Sequence, residues 1–564
     1  MATEIVPVVD EPAPAPPPRH AAARRLLHYT LPGAWTALAF ACLSFTPSLL
    51  PRNGIIQGLV CGIVAAIGYG VGVVGASIWR AFADRDVRPP KPGSWRIFAI
   101  GAPLALLVSI ILGQWWQVQL RTVMGVEAGT PLNLAVLPIL AAVVFVGLVA
   151  AGRGLRAAYR WAATLLSRWI GPRAANVVGW LLVAGITVAL ASGVLANGFV
   201  AVADRIFSVR NTATPDGVVQ PTLTTRSGAA ESYVEWQSLG REGRAFIGRG
   251  PTAADISRYT GAPAQEPVRA YAGLDSEDST ETRAELAVED LQRAGGFDRA
   301  YLVVATTTGS GWVDPAAVDS IEYITGGDSA IVAIQYSYLP SWISYLVDQK
   351  RAREAGRELF DAVYGRWASL PVDRRPKLLV FGESLGSFGG ETAFSGEYDL
   401  YNRTSGAVFA GPPNFNTLHR EFVLDRDVGS LEAAPIFRNG RTVRFDDVPG
   451  PPVEPTVAPW DHPRVLYLQH PSDPIVWWSP NLVLSPPDWL DEPPGHDVLD
   501  AMTWLPFVTF CQVTADLPRA TAVPPGFGHT YSAEYVDAWA IVLQPDGWTE
   551  DKAERLRRII QPIP

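Results

Sequence analysis

Long apolar segments dominate the first third of the chain, and short polar stretches separate them. Each segment is close to the roughly 20 residues that an α-helix needs to cross the hydrocarbon layer of a membrane. Pro47 and Pro51 interrupt the first segment, so a helix there bends or ends early. We therefore expect about five transmembrane helices, within residues 31–50, 54–79, 97–118, 131–151 and 176–203.

Beyond residue 267, short apolar runs alternate with amphipathic stretches. The runs are rich in β-branched residues, whereas the stretches between them repeat apolar residues at helical spacing. This alternation is typical of a mostly parallel β-sheet with helices on both faces. The strand candidates are the runs "RAYLVVATTT", "SAIVAIQYSY", "KLLVF", "SGAVFAG" and "RVLYLQH".

The chain is therefore predicted to consist of an α-helical transmembrane domain followed by an α/β domain. The Pro- and Ala-rich composition of the N-terminus predicts a disordered tail. Two long Pro- and Trp-rich stretches, 414–460 and 478–525, are expected to form insertions or a lid rather than sheet. The predicted segments are the tail at 1–22, the transmembrane domain at 23–206, a linker with the first strands at 207–265, and the α/β domain at 266–564.

Charge separates the two domains. Residues 1–206 hold 16 Lys and Arg against 7 Asp and Glu, whereas the rest of the chain holds 30 against 48. A basic membrane domain joined to an acidic soluble domain explains this division, and the acidic half argues against nucleic acid as a partner. The lipid bilayer is the expected partner of the first domain.

Positive charges also predict the orientation in the membrane. Basic residues concentrate before the first segment, between the second and third, and between the fourth and fifth, whereas the other two loops contain only Arg52 and Arg121. Cytoplasmic loops carry such an excess, so the N-terminus is expected in the cytoplasm. Five crossings then place the α/β domain outside the cytoplasm, in a multi-pass protein of the cell membrane. This conclusion holds only if the number of crossings is odd.

The stretch "KLLVFGESLGSFGG" contains the candidate nucleophile. A strand-like run leads into Gly382, Glu383, Ser384, Leu385 and Gly386, and further glycines follow. A strand, a sharp turn and a helix would hold Ser384 in a strained, exposed position, and the flanking glycines would relieve the crowding. Glu383 is expected to be exposed at this turn. A purely structural turn is the alternative.

These residues resemble the nucleophile turn of the α/β-hydrolase superfamily. More narrowly, the chain after residue 22 is similar to a bacterial integral-membrane family with a multi-pass N-terminal domain and an α/β-hydrolase catalytic domain. The resemblance is carried by "FTPSLLPR", "TTTGSGWVDP", "QYSYLPSW" and "GESLG". It implies an α/β-hydrolase fold in which a serine, an acidic residue and a histidine follow one another in this order along the chain.

This order directs the search for the base and the acid to residues after Ser384. His529 fits the base best, because "PPGFGHTYSAEY" is a Gly-flanked loop that opens a terminal helix. A helix-capping histidine is the alternative there, and His470 is the rival base. For the acid, Asp473 follows the strand candidate "RVLYLQH" and resembles the strand-end acid of the superfamily, although it could merely begin a turn. Asp461 precedes that strand and would lie at the wrong end of the sheet.

Two backbone N–H groups are needed to stabilise the negative charge that develops on the substrate oxygen. By resemblance, one belongs to Leu385 and the other to the turn after an earlier strand. The run "VVATTTGSGWVDP" fits that turn, with Thr307 or Thr308 as the donor, although both threonines could merely finish the strand. Asp314 and Pro315 then begin a helix, as N-cap and first-turn proline.

No sequence motif indicates a cofactor or a metal. The three cysteines, Cys42, Cys61 and Cys511, form no Cys-x-x-Cys pair. The sequence contains neither a His-Glu-x-x-His motif nor a phosphate-binding Gly-x-x-x-x-Gly-Lys motif. We therefore expect chemistry that uses side chains and backbone groups alone.

The combined prediction is a membrane-anchored serine hydrolase of esterase or lipase type that acts on acyl esters. Ser384 would attack the ester, His529 would transfer the proton, and Asp473 would orient the histidine. The position beside the bilayer favours lipid or cell-envelope substrates. Two alternatives stay open: an acyltransferase that uses the same triad, and a non-catalytic membrane scaffold or sensor.

Overall fold

A bundle of six helices forms the N-terminal part of the computed structural model, which describes residues 29–86, 90–127, 131–190, 193, 196–446 and 458–561. The predicted tail lies outside the described residues. Glycines let the second helix approach its neighbours closely, because a Cβ on Gly68 would lie 2.7 Å from Phe40 and one on Gly62 would lie 2.7 Å from Ala141 O. The helices are α1 (Leu31–Leu43), α2 (Gly54–Phe82), α3 (Pro92–Val123), α4 (Pro131–Leu166), α5 (Pro172–Ala189) and α6 (Ala196–Asn211).

Four helices of the described part, α2 to α5, are long and apolar enough to cross a membrane. Helix α1 is apolar as well but contains only 13 residues. It ends at Leu43, shortly before Pro47, because proline lacks an N–H donor and disfavours helical backbone in the residue before it. The structure thus supports four spans, and the fifth crossing stays a prediction.

The α/β domain is built on one parallel sheet. Within the described residues the sheet has seven strands in the order β1-β3-β2-β4-β5-β7-β6, and every pair of neighbours is parallel. Burial on both faces explains the continuous apolar runs of the sequence. The strands are β1 (Val268–Ala272), β2 (Tyr301–Thr306), β3 (Ser329–Ile334), β4 (Lys377–Glu383), β5 (Gly406–Ala410), β6 (Val443–Asp446) and β7 (Arg464–Leu468).

The five predicted strand runs correspond to β2, β3, β4, β5 and β7, which confirms the mostly parallel sheet. Strand β6 is a correction, because it lies in the stretch 414–460 that the sequence predicts to contain no sheet. It is a four-residue edge strand whose last three residues are only partly buried, and it includes Arg444 and Asp446. So short and polar a segment shows no apolar pattern by which a strand could be recognised.

Helices cover both faces of the sheet. They are α7 (Gly240–Arg249), α8 (Ala253–Thr260), α9 (Thr280–Arg293), α10 (Pro315–Ile324), α11 (Ser341–Val347), α12 (Gln349–Ala368), α13 (Leu385–Glu391), α14 (Glu397–Arg403), α15 (Thr417–Leu424), α16 (Pro474–Trp477), α17 (Asp488–Asp491), α18 (Val508–Asp516), α19 (Glu534–Leu543) and α20 (Glu550–Ile560). On one face α9 packs on α12, and α12 packs on α13. On the other face α10 packs on α19 and α20.

Residues 207–265 differ from the prediction of a linker with the first strands. This range holds the end of α6 and the helices α7 and α8, and the first strand begins only at Val268. One parallel bridge, between Arg226 and Arg269, joins the range to β1. The two helices have 10 and 8 residues, which is too short for their apolar spacing to stand out in the sequence.

The carboxyl end of the sheet faces the N-terminal helical bundle. Leu49 and Leu50, in the loop between α1 and α2, share a buried apolar cluster with Trp477 of α16, which follows β7. At the end of α6, Asn211 Oδ1 accepts a hydrogen bond from Gln335 Nε2, directly after β3. Ligands of α/β sheets bind at the carboxyl ends of the strands, so the bundle lies on the functional side of the α/β domain.

Candidate active site

Ser384 lies in the turn between β4 and α13. Strand β4 ends at Glu383 and α13 begins at Leu385, so this one residue joins them. Its backbone angles, φ 53° and ψ −125°, lie outside the regions that residues with a Cβ ordinarily adopt. The flanking glycines make the turn possible: a Cβ on Gly382 would lie 2.4 Å from the backbone of Gly386, and one on Gly386 would lie 2.3 Å from a carbonyl oxygen of β2.

Asp473 and His529 are joined by a short hydrogen bond. Asp473 precedes α16, and its Oδ1 accepts a hydrogen bond from Ile475 N at 2.8 Å. Its Oδ2 accepts from His529 Nδ1 at 2.6 Å and from the Tyr531 hydroxyl at 2.8 Å. Burial alone would raise the pKa of Asp473, but the charge and the hydrogen bond of His529 hold this pKa below its ordinary value. The carboxylate therefore stays ionised and keeps the imidazole proton on Nδ1.

The His529 ring lies at the ends of two neighbouring strands, β4 and β5, with Nε2 3.7 Å from Glu383, the residue before Ser384. Ser384 N donates to Ala410 O, at the end of β5, at 2.9 Å. The next residue, Gly411, is so close to the imidazole that a Cβ there would lie 2.2 Å from His529 Cε1. Ser384 Oγ makes no hydrogen bond to any described residue, His529 included. Catalytic hydrogen bonds are often long in free enzymes and tighten when substrate binds, so the position of His529 remains compatible with a base.

Two backbone N–H groups next to the turn have no acceptor. Those of Leu385, at the start of α13, and of Thr307, directly after β2, donate to no oxygen in the described part of the chain. The Thr307 hydroxyl donates to Ile334 O at 2.8 Å, which fixes the backbone at this position. The N–H of Thr308, the other candidate from the sequence, donates to Trp312 O at 2.9 Å and is already used. Thr307 is therefore the better candidate for the second oxyanion donor.

Glu383 is buried, whereas the sequence predicts an exposed side chain at this turn. Glu383 is only 6% exposed, because α19 covers the end of β4. One carboxyl oxygen accepts from the Tyr535 hydroxyl at 2.7 Å, and the other lies 3.7 Å from His529 Nε2. Asp314, which caps α10 as predicted, contacts the same carboxyl group. Burial, and then the charge of Asp314, raise the pKa of Glu383 well above its ordinary value.

A second histidine–carboxylate pair lies next to the first. His470, the rival base, donates from Nε2 to Glu534 at 2.9 Å and from Nδ1 to Gly528 O at 2.7 Å. Its ring stacks on Tyr531, with centroids 4.3 Å apart. Burial alone would lower the pKa of His470, but the Glu534 carboxylate raises it to about 9. Both ring nitrogens have acceptors, so this histidine offers no nitrogen for the proton of Ser384.

Sequence reasoning missed the polar groups that hold the base loop. Gly528 N donates to Ser472 Oγ at 2.8 Å, and the Ser472 hydroxyl also bonds Asp497. These contacts join segments 56 and 25 residues apart, and no local pattern announces them. Two tyrosines follow His529 within six residues, and buried tyrosines usually hydrogen-bond through the hydroxyl, so the sequence could have indicated other contacts, those of Tyr531 with Asp473 and of Tyr535 with Glu383.

Among the residues that the structure describes, no group of three or more His, Cys, Asp and Glu is arranged to hold a metal ion.

Comparison with known proteins yields two family matches. The model of a family described as "Alpha/beta-hydrolase family" matches residues 268–556, and that of the "Alpha/beta-hydrolase family N-terminus" matches residues 45–251. The boundary between the two matches falls just before β1, where the sheet begins. No curated protein and no solved structure matches the chain.

Proposed function

The chain belongs to the alpha/beta-hydrolase family, and on that premise we propose that it is a membrane-anchored serine hydrolase that cleaves acyl esters. The observation that carries the proposal is the 2.6 Å hydrogen bond between His529 and Asp473, with the imidazole 3.7 Å from Glu383, the residue that precedes the strained Ser384. A serine hydroxyl is a weak nucleophile until a base removes its proton, and this arrangement supplies an oriented base.

Catalysis proceeds in two half-reactions. Ser384 Oγ attacks the carbonyl carbon while His529 Nε2 takes the hydroxyl proton, and Asp473 stabilises the imidazolium. The N–H groups of Leu385 and Thr307 stabilise the oxyanion of the tetrahedral intermediate. Its collapse breaks the bond to the alcohol, which leaves with the proton from His529. Water then attacks the acyl-enzyme by the same route, which releases the acid and restores Ser384.

Lipid or cell-envelope esters are the proposed substrates. Tyr345 and Trp478 lie with ring centroids 5.8 Å apart, on α11 and just after α16. Helix α11 packs on α6 of the bundle, and its Trp342 and Leu346 are exposed. Apolar and aromatic side chains on a helix that contacts the bundle suit an acyl chain that enters from the membrane.

We propose further that the N-terminus is cytoplasmic and that the α/β domain lies on the opposite face of the cell membrane. Ser44 O accepts a hydrogen bond from Gln57 Nε2 close to the α/β domain, whereas Thr30 N donates to the Tyr69 hydroxyl at the other end of α1. A helix of 13 residues rises about 20 Å. Helix α1 therefore runs towards the α/β domain beside the first half of α2, and the proposed orientation rests on the distribution of positive charges along the sequence. A cysteine introduced on the surface of the α/β domain should react with a membrane-impermeant reagent on intact cells, and reaction only after lysis would contradict this orientation.

Covalent labelling of the full-length protein by a fluorophosphonate tests the enzymatic proposal. The wild type should be labelled, and Ser384→Ala should not. Ser395→Ala is the matched control, because it removes an exposed hydroxyl that bonds only Asp399, and it should be labelled like the wild type. A folded wild-type protein that takes no label contradicts the proposal, and label retained in Ser384→Ala places the nucleophile elsewhere.

A further inference from the structure

The loop of residues 44–53, between α1 and α2, belongs to the membrane bundle but is buried in the α/β domain. Its Leu49 and Leu50 are almost completely buried. They pack in one apolar cluster with Trp477 of α16 and Val513 of α18. This loop contains the whole of "FTPSLLPR", a sequence whose role the catalytic mechanism does not explain.

A buried ion pair anchors the loop to α18. Arg52 Nε donates to Asp516 Oδ1 at 2.9 Å, and both side chains are only 1% exposed. The Ser48 hydroxyl donates to the other carboxylate oxygen at 2.5 Å. Gln512, one turn earlier on α18, donates from Nε2 to Thr46 O at 2.9 Å. Removal of one partner from such a pair leaves an uncompensated charge in the interior. Separation of the loop from α18 would have the same cost, so the two should move together.

Helix α18 leads directly to the proposed base. After Asp516 the chain makes one short turn to Ala520, whose carbonyl oxygen accepts from His529 N at 2.8 Å. The loop also reaches the base segment itself, because a Cβ on Gly528 would lie 3.3 Å from Leu50 Cδ2. A displacement of the loop would therefore displace the backbone that carries the imidazole.

The same loop reaches the acid. Trp477, which packs in the cluster with Leu49 and Leu50, belongs to the helix that begins directly after Asp473. Its Nε1 donates to His470 O at 3.0 Å, so it is fixed to the end of β7 as well. Acid and base thus share one apolar support, and part of that support comes from the membrane domain.

The membrane helices fix the loop from the other side. Arg52 N donates to Gln117 Oε1 at 2.7 Å, and Arg121 Nη2 donates to Arg52 O at 2.8 Å, both from α3. Gln57 of α2 holds Ser44 O at 2.9 Å. The position of the loop therefore depends on how α2 and α3 pack in the bilayer.

We infer that the loop of residues 44–53 positions the acid and the base, so that the membrane domain is a working part of the active site rather than only its anchor. Arg52 is the positioning residue, and it acts on His529 through Asp516 and Ala520. The inference rests on the proposed function. It makes the geometry at Ser384 sensitive to the packing of α2 and α3, and hence to the bilayer.

The test compares labelling rates of full-length variants in lipid nanodiscs. Arg52→Gln should lower the second-order rate constant of fluorophosphonate labelling of Ser384 by about 10- to 100-fold, because small misplacements of catalytic groups cost about that much. With a short soluble ester, kcat should fall while KM changes little. Asp516→Asn should have the same effect, and the double variant should be no slower than either single variant, since the pair acts as one unit.

Arg269→Gln is the matched control. Arg269 forms an equally buried pair with Glu322 at 2.7 Å, early in β1 and away from the carboxyl ends of the strands. Its loss should destabilise the protein but leave the labelling rate of the folded fraction unchanged. If Arg52→Gln does not fold, Ser48→Ala removes a single hydrogen bond and should still slow labelling several-fold.

The outcomes separate the two proposals. Folded Arg52→Gln or Ser48→Ala that labels at the wild-type rate overturns the positioning role and leaves the hydrolase proposal intact. If Arg269→Gln slows labelling equally, general destabilisation explains the effect, and the positioning role is overturned as well. A wild-type protein without label overturns the hydrolase proposal, and this inference with it.

Discussion

Two histidine–carboxylate pairs lie side by side in this protein. They differ in whether the second ring nitrogen of the histidine has a hydrogen-bond acceptor. His529 donates to Asp473 at 2.6 Å, and His470 donates to Glu534 at 2.9 Å. Both histidines are buried, and Tyr531 lies between them. The pairs are therefore alike in composition, in distance and in burial.

The second ring nitrogen separates the two pairs. His470 Nδ1 donates to a backbone carbonyl oxygen, so that both of its nitrogens are held as donors. His529 Nε2 makes no hydrogen bond within the described residues and lies 3.7 Å from Glu383, the residue before Ser384. A carboxylate beside a histidine can thus hold a structural cation or orient a candidate base, and the difference depends on whether the other nitrogen is free to exchange a proton.

The largest expected effect comes from breaking the first pair. Asp473→Asn keeps the shape of the side chain but removes the charge and favours the wrong imidazole tautomer, so kcat should fall by about 10⁴-fold. Steady-state hydrolysis of a soluble ester measures the effect. Glu534→Gln, the same change in the other pair, is the control. A loss of kcat in Glu534→Gln as large as in Asp473→Asn would make His470 the base and reverse the comparison.

The first pair could be predicted from the sequence, whereas the second could not. Asp473 follows a recognisable strand, and His529 lies in a Gly-flanked loop, so chain order was sufficient to propose them. The partner of His470 lies 64 residues away at the start of α19, and only the folded chain brings the two together. The same reason explains the error at Glu383, whose burial depends on a helix some 150 residues later in the chain.

Breaking the second pair should affect stability more than catalysis. Glu534→Gln removes a hydrogen bond between two ionised groups, which should lower the free energy of unfolding by about 2 kcal/mol. The value of kcat should fall by no more than about tenfold, because His470 holds the Gly528 carbonyl and not the substrate. Denaturant unfolding and ester hydrolysis at neutral pH measure both quantities. A variant with unchanged stability would show that the ion pair contributes nothing to the fold.

The second pair should also make stability depend on pH. The pKa of His470 is raised from 6.5 to about 9, so the folded protein holds this proton more tightly than the unfolded chain does. The resulting stabilisation is complete below about pH 6.5 and is lost as the pH rises to about 9. The difference in unfolding temperature between wild type and His470→Gln should therefore be largest near pH 6 and should shrink towards pH 9.5. A difference that grows with pH would contradict the assignment of His470 as a cation.

The smallest effect is expected from Tyr531→Phe, which should affect the first pair and leave the second unchanged. The tyrosine ring stacks on His470 at 4.3 Å, while its hydroxyl donates to Asp473 at 2.8 Å. Phenylalanine keeps the stacking and removes only the hydrogen bond, so the second pair should be unaffected. Asp473 keeps its bonds to His529 and Ile475, and the loss of one hydrogen bond worth about 1 kcal/mol should lower kcat by about fivefold without a change in KM. Stability should fall by no more than about 1 kcal/mol, because Asp473 keeps its two other hydrogen bonds. If Tyr531→Phe lowered the unfolding temperature and left kcat unchanged, the hydroxyl would support the packing around both histidines. It would then have no specific role in the pair of His529 and Asp473.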